Sequence, residues 1–373
     1  ARTWLFALRV PCRTTILGRW ILITAGVIAT PSARGSDFAS TQWPQFRGPH
    51  GAGVSPASDL PIHFSPESNA VWKTALPAGH SSPCIWNDRI FLTGFAGGKL
   101  ETLCLGRRDG QIVWRRAVPP GQMERGSHLS NPAASTAVTD GARVCVYFGS
   151  FGLVCYDFAG EELWRKPLPT PITQHGASSS PVLSGGRLLL GCDQDTDSYL
   201  LAVDSCTGET LWKTDRPGIR RGFATPLIWP PDRPTCVILP GTLRLAAYDL
   251  QSGAECWTVG GLPNELVASP AAGEGLIFAG GWTHGSGVAK MPQFDALLEP
   301  GDRNKDGQLT REEAPPGPAK QHFLYIDANK DGFVTRAEWN SIAGIFAQAQ
   351  NALLAVQPGL NGTAAKAKVV WKQ

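Results

Sequence analysis

Along residues 181–213 the apolar positions gather into four short runs, 181–183, 187–192, 199–204 and 209–213, split by Gly185-Gly186, by an acidic loop at 193–197 and by Thr207-Gly208. Runs this short, closed by Gly-bearing turns, read as a four-stranded antiparallel meander and not as helices. The same phrase recurs along the chain: Trp72, Trp114, Trp164, Trp212 and Trp257 follow one another at intervals of 42 to 50 residues, and Trp371 ends a further copy. Upstream lie the matching pairs Ser82-Pro83, Ser135-Thr136, Ser180-Pro181, Thr225-Pro226 and Ser269-Pro270. A small four-stranded sheet buries both faces only against copies of itself. A repeat of this period therefore predicts an all-β fold, a β-propeller of four-stranded blades.

Composition narrows the picture. The 42 Gly and 30 Pro, with only 17% charged residues against a usual share of about 25%, exclude disorder, collagen, coiled coil and helical bundle. The net charge of +3, with no clustered basic run, gives no footprint for nucleic acid. Within residues 1–36, Arg9, Arg13 and Arg19 precede an apolar run at 20–30 and then small residues. That run is shorter than the roughly 20 residues of a membrane span, so it reads as a signal peptide, with cleavage after Ala29, Ala33 or Gly35, or as an N-terminal anchor. The expected location is extracytoplasmic, periplasmic or secreted, with no other transmembrane segment. The first residue is Ala, so a fragment is expected at this end. Of the Cys beyond this segment, most sit inside strand-like runs and read as small buried hydrophobes. Cys145 and Cys155, flanking one predicted hairpin, are the single candidate bridge.

The phrase LAVDSCTGETLW (201–212) resembles the tryptophan-docking consensus A-x-D-x-x-T-G-x-x-x-W of the pyrroloquinoline-quinone (PQQ) repeat propellers, and residues 245–257, 153–164 and 100–114 are weaker copies. The opening WPQFRGPHGAG (43–53) is similar to the start of exported bacterial members. The resemblance implies that each Trp packs on the adjoining blade. It also implies rings of about seven or eight blades, of which about five are represented in this sequence. Residues 71–76 then read as an outermost fourth strand whose three partners would come from C-terminal blades absent from the sequence. The expected organisation is blades over 37–281, an insertion over 282–350, and a propeller that resumes over 351–373.

The insertion interrupts the fifth copy after its second strand. Within it Asp302, Asn304, Asp306, Thr310 and Glu313 occupy positions 1, 3, 5, 9 and 12 of a calcium loop with Gly307 at position 6, and Asp327, Asn329, Asp331, Thr335 and Glu338 repeat the pattern with Gly332. A hard Ca²⁺ ion takes six to eight oxygens, which alternate residues, a bidentate position 12 and the position 7 carbonyl supply. The last would come from Gln308 and Phe333. By spacing and by resemblance this is a small, α-helical EF-hand pair with two Ca²⁺ sites. Leu309 and Val334 are placed to join the loops by a short β-bridge, while Pro315, Pro316 and Pro318 should cut short the helix leaving the first loop.

Loops entering the inner strands carry His80, His128, His175, Arg221 and Glu265, on the face from which the insertion should emerge. They read as solvated channel residues or as a small polar site partly covered by the insertion, with no visible pairing of base and nucleophile. Asp193, Asp195 and Asp197 alternate in one loop and read as turn-capping or solvated groups, or else as cation ligands. Asn361 begins a glycosylation acceptor triplet that carries little meaning here. PQQ-dependent alcohol dehydrogenases of the family use a vicinal Cys-Cys disulfide. None occurs here, so PQQ is not expected as cofactor. The resulting expectation is an exported calcium-binding propeller that serves as a non-enzymatic interaction or assembly scaffold for a protein or envelope partner. The alternative is an extracytoplasmic hydrolase or PQQ-type oxidoreductase with its site in the central channel. The propeller lipoproteins that assist outer-membrane protein assembly are a third comparison, against which counts the lack of a lipidation Cys after the apolar run.

Overall fold

The computed structural model describes residues 42–57, 60–65, 67–126, 130–283, 291–359 and 367–373. The targeting segment 1–36, His128 and Asn361 lie outside them. Five four-stranded antiparallel sheets follow one another as blades. Blade 1 is β1 (Cys84–Trp86), β2 (Arg89–Ala96), β3 (Lys99–Gly106) and β4 (Ile112–Val118), and blade 2 is β5 (Val138–Thr139), β6 (Arg143–Phe148), β7 (Gly152–Asp157) and β8 (Glu162–Pro167). Blade 3 is β9 (Val182–Ser184), β10 (Arg187–Cys192), β11 (Tyr199–Asp204) and β12 (Thr210–Asp215). Blade 4 is β13 (Leu227–Trp229), β14 (Cys236–Gly241), β15 (Arg244–Asp249) and β16 (Glu255–Gly260). Blade 5 begins with β17 (Ala271–Gly273) and β18 (Leu276–Gly281). It then yields to the insertion, whose β19 (Leu309–Thr310) and β20 (Phe333–Val334) pair with each other, and resumes with β21 (Ala352–Gln357) and β22 (Lys368–Lys372).

Burial explains the strand chemistry. The second and third strands lie between neighbouring blades and are buried on both faces, as in the near-continuous apolar runs of β6 and β10. The fourth strands are outermost and turn mainly one residue inward, the repeat Trp. Trp114 Nε1 donates to the Phe158 carbonyl of the next blade at 3.0 Å, Trp164 to Ser205 at 3.0 Å and Trp212 to Leu250 at 3.3 Å. Each ring lies against the turn glycine of that next blade, Gly160, Gly208 or Gly253. All three have positive φ, and an added Cβ would sit 2.5 to 2.8 Å from the indole. The T-G-x-x-x-W phrase thus encodes two halves of one contact, in adjacent blades.

The Ser/Thr-Pro pairs form a second inter-blade seam. The N–H of Ser82 donates to Thr136 Oγ1, that of Thr136 to Ser180 Oγ, that of Ser180 to Thr225 Oγ1 and that of Thr225 to Ser269 Oγ, all at 2.9 to 3.0 Å. Cys145 and Cys155 face each other across β6 and β7 and form a disulfide, with Cα atoms 4.1 Å apart. Cys84, Cys104, Cys192 and Cys236 are buried free thiols.

One sequence expectation needs correction. Residues 71–76 form no strand, because no third strand lies beside them among the described residues. Trp72 nonetheless docks as the other repeat tryptophans do, with Nε1 donating to Arg107 O at 2.9 Å and its ring over Gly110.

In the insertion, α1 (Asp295–Gly301) leads into the first loop, the short α2 (Pro318–Gln321) and α3 (Phe323–Ile326) lead into the second, and α4 (Arg336–Gln348) leaves it. Phe294, Leu309, Phe323, Ile326, Val334, Trp339 and Ile342 form its own apolar core. No helix among the described residues is long and apolar enough to cross a membrane.

Candidate functional site

The two acidic loops fold alike. Lys305 and Gly307 in the first, and Lys330 and Gly332 in the second, take positive φ. This curls the backbone so that Asp302 accepts the Gly307 N–H at 2.9 Å and Asp327 accepts that of Gly332 at 3.1 Å. Asn304 donates to Asp306 and Asn329 to Asp331, each at 2.8 Å. The loops are joined by the pairs Leu309 with Val334 and Thr310 with Phe333, as the spacing predicts. Glu313 accepts the backbone and hydroxyl of Thr310, and Glu338 those of Thr335. Glu338 completes a capping box that starts α4. No helix continues from Glu313, where Pro315 and Pro316 intervene.

Gln308 and Phe333 hold position 7 of each loop, and their N–H groups donate to Asp306 and Asp331 at 2.9 Å. Most carboxylate oxygens face N–H groups of their own loop, and among the described residues no three His, Cys, Asp or Glu groups gather on one point. Asp327 is the exception in its hydrogen bonding. It is only 2% exposed, and its Oδ1 is buried with no hydrogen-bond partner. Burial pushes its pKa up, aided by the nearby charges of Glu338 and Asp331. A buried carboxylate oxygen without a partner is a site that a cation would satisfy, so the donor set of the second loop fits Ca²⁺.

The insertion is seated on the propeller through charge. Arg216, fully buried, is held by Asp193 at 2.8 and 3.0 Å and by the Tyr248 hydroxyl. Arg221 is held by Asp195 at 2.8 and 3.0 Å, with Glu265 at 3.9 Å and Gln174 at 3.2 Å. Asp197 pairs with Lys330 of the second loop. Asp193 and Asp195 are therefore buried ion-pair partners and not solvated groups, whereas Asp197 stays exposed and pairs at the surface with Lys330. Each holds one basic side chain, because the connection leaving blade 3 brings Arg216 and Arg221 beneath them and the insertion brings Lys330. Tyr325 of α3 covers the guanidinium groups of Arg220 and Arg221, with ring centroid distances of 5.7 and 5.0 Å.

The structure brings His175, Arg221 and Glu265 to this seam, and it adds His322 from the insertion. Both imidazoles titrate below the usual range, first through burial and then through the Arg221 charge. His175 packs edge-on against Phe223. His80 is exposed beside blade 1, its backbone N–H donating to Ala133, and it lines neither seam cavity. One cavity, of about 510 Å³, has an apolar roof including Met291, Trp339 and Phe346 and a polar floor of Arg221, Asn264 and Glu265. The other, of about 320 Å³, is lined by polar and basic groups interleaved with Ile172 and Leu324, and shares Arg221, His322 and Tyr325 with the first. Sequence reasoning missed Arg216, Arg220, His322 and Tyr325. The Arg220-Arg221 doublet, in a chain poor in charge, was the only available signal.

Residues 98–279 match the family model described as outer membrane protein assembly factor BamB, and residues 321–343 match the EF hand model. Among solved structures the chain is similar to BamB from Moraxella catarrhalis, at 16% identity over 57% of this chain and 61% of that one, with a TM-score of 0.39. It is also similar to quinohemoprotein alcohol dehydrogenases from Pseudomonas putida HK5 (15% identity, 64% of this chain and 42% of that one, TM-score 0.43) and Comamonas testosteroni (13%, 67%, 45% and 0.43). The chain thus spans under two thirds of each of these structures. No curated protein matches it.

Proposed function

We infer, for a chain whose propeller repeats are those of the PQQ-repeat family and whose insertion carries an EF-hand, that the protein is an extracytoplasmic calcium-binding scaffold without catalytic activity of its own. The observation that carries the calcium reading is the buried, unpartnered Oδ1 of Asp327 at position 1 of a complete loop. Asp327, Asn329, Asp331, Thr335 and Glu338, with the Phe333 carbonyl, would hold one ion. Asp302, Asn304, Asp306, Thr310 and Glu313, with the Gln308 carbonyl, would hold the other. A bound ion would supply positive charge against the three carboxylates of each loop. The loops themselves orient those carboxylates through their turn N–H groups and through the β19–β20 pair.

The scaffold reading is supported by the way the three aspartates at the seam are each spent on a basic side chain, Asp193 on Arg216, Asp195 on Arg221 and Asp197 on Lys330. A protein or envelope partner accords with the family description, which names an outer membrane protein assembly factor. PQQ has no part in this reading, since no adjacent Cys pair occurs in the sequence. Calorimetric titration of the chain with Ca²⁺, beside Asp302→Ala and Asp327→Ala, tests it. Two sites lost one by one are expected. Absence of Ca²⁺-dependent heat, or heat unchanged in both variants, would refute it.

A further inference from the structure

The smaller seam cavity, about 320 Å³, carries charge that its surroundings do not balance. Its wall is assembled from separate stretches of chain: Arg125 between blades 1 and 2, Thr173 and Gln174 between blades 2 and 3, Asp195 and Arg221 from blades 3 and 4, and Arg311, Gln321 and His322 from the insertion. Three arginines face one aspartate. Arg221 and Asp195 neutralise each other bidentately, which leaves Arg125 on the propeller side and Arg311 on the insertion side. Neither has an ion-pair partner among the described residues, whereas Arg216, Arg221 and Lys330 at the same seam are each matched. The remaining lining combines neutral hydrogen-bonding groups, the Thr173 hydroxyl and the Gln174 and Gln321 amides, with the apolar Ile172 and Leu324 and the Tyr325 ring. The His322 ring is kept toward its uncharged form by burial and by Arg221.

Guanidinium forks match the planar oxygens of carboxylates and phosphates, and hydroxyl and amide groups match the hydroxyls of a sugar. The volume is that of a single small molecule. We propose that this cavity binds a small polyhydroxylated anion, a sugar bearing a carboxylate or a phosphate, through Arg125 and Arg311. The site requires the insertion to be seated on the propeller but goes beyond the calcium reading and does not depend on it. Arg125 is remote in sequence from both loops, so failure of one reading is separable from failure of the other.

The test is calorimetry of the whole chain at low ionic strength with sodium glucuronate, glucose 6-phosphate and uncharged glucose. One-to-one binding of at least one anion and none of glucose is expected, and the arm that binds identifies the anionic group. Arg125→Ala and Arg311→Ala should each weaken that binding about 10- to 100-fold. Arg108→Ala should leave it unchanged, because Arg108 is an exposed residue paired with Asp88 on blade 1 and contributes to neither cavity. Thermal melts confirm that each variant is folded, and Ca²⁺ titration of Arg311→Ala separates any effect on its own loop. Silence from both anions, equal binding of glucose, retention of full affinity in Arg125→Ala and Arg311→Ala, or equal weakening in Arg108→Ala would each overturn the proposal.

Discussion

Glu124 is the group through which pH should act on the propeller. Its carboxylate is wedged between blades 2 and 3, where Oε2 accepts the Ala177 N–H at 2.6 Å and Oε1 is buried with no partner. A Cβ on Gly149 would lie 2.5 Å from Oε2, so the carboxylate packs directly against the Gly149 backbone. Burial raises the pKa of Glu124 from 4.5 to about 7, outweighing the hydrogen bonds from Ala177 and Ser150. Because the folded-state value lies above the unfolded one, the native state binds the proton more tightly. No stability is lost below the unfolded value. The loss builds as pH climbs from 4.5 through about 7 and is complete above that. At about 1.4 kcal/mol per pH unit, the ionised carboxylate costs about 3 kcal/mol in mildly alkaline solution. Glu124→Gln keeps an oxygen for the Ala177 N–H and cannot ionise. Urea unfolding across that range should show the variant gaining up to about 3 kcal/mol over the parent at alkaline pH and nothing at acid pH. Parallel pH profiles for the two proteins would refute the reasoning.

Two further outcomes follow from the packing. Gly208→Ala meets the Trp164 ring at 2.6 Å as well as a φ of 73°, while Gly186→Ala meets only a φ of 77° with open space around it. The second should cost about 1 kcal/mol and the first at least twice that, read from urea midpoints; equal costs would remove the steric half of the docking argument. Asp195→Asn leaves the Arg221 guanidinium, 7% exposed, with Glu265 at 3.9 Å as its nearest carboxylate and the neutral Gln174 amide at 3.2 Å. It should lower stability by about 3 kcal/mol, measurable by thermal or urea unfolding, and an unchanged melt would mean that Arg221 finds water once its partner is gone.

The blades could be read from the chain because both halves of each inter-blade contact sit in every repeat. A turn glycine receives the preceding tryptophan, and a hydroxyl receives the preceding N–H. A pairing that recurs at a fixed interval leaves a trace in one dimension. The fold of the acidic loops was legible for a related reason, since the turn glycines and the residues they hydrogen-bond are local in sequence. The seam was not. Asp193 and Arg216, or Asp195 and Arg221, join the loop inside blade 3 to the connection that leaves it, across 23 and 26 residues of chain, and neither residue carries a local pattern that names its partner. The alternation of Asp193, Asp195 and Asp197 reads as turn capping or solvation, or else as a shared cation site, whereas each pairs with a separate basic side chain. The segment at 71–76 shows the converse limit: its Trp finds a docking turn over Gly110, but a strand exists only where another strand supplies its hydrogen bonds.

The position of the insertion links its loops to the propeller face. Tyr325, which caps Arg220 and Arg221, lies in the short α3, two residues before Asp327, which caps that helix and begins the second loop. Lys330, inside that loop, reaches Asp197 of blade 3. The loop backbone that carries the carboxylates therefore also carries contacts that seat the module, and a shift at Asp327 cannot stay local. The Tyr325 ring lies over Arg221, and Tyr325, Arg221 and His322 line both seam cavities. Charge at the acidic loop and shape at the propeller face are thus tied by a stretch of chain shorter than two helical turns.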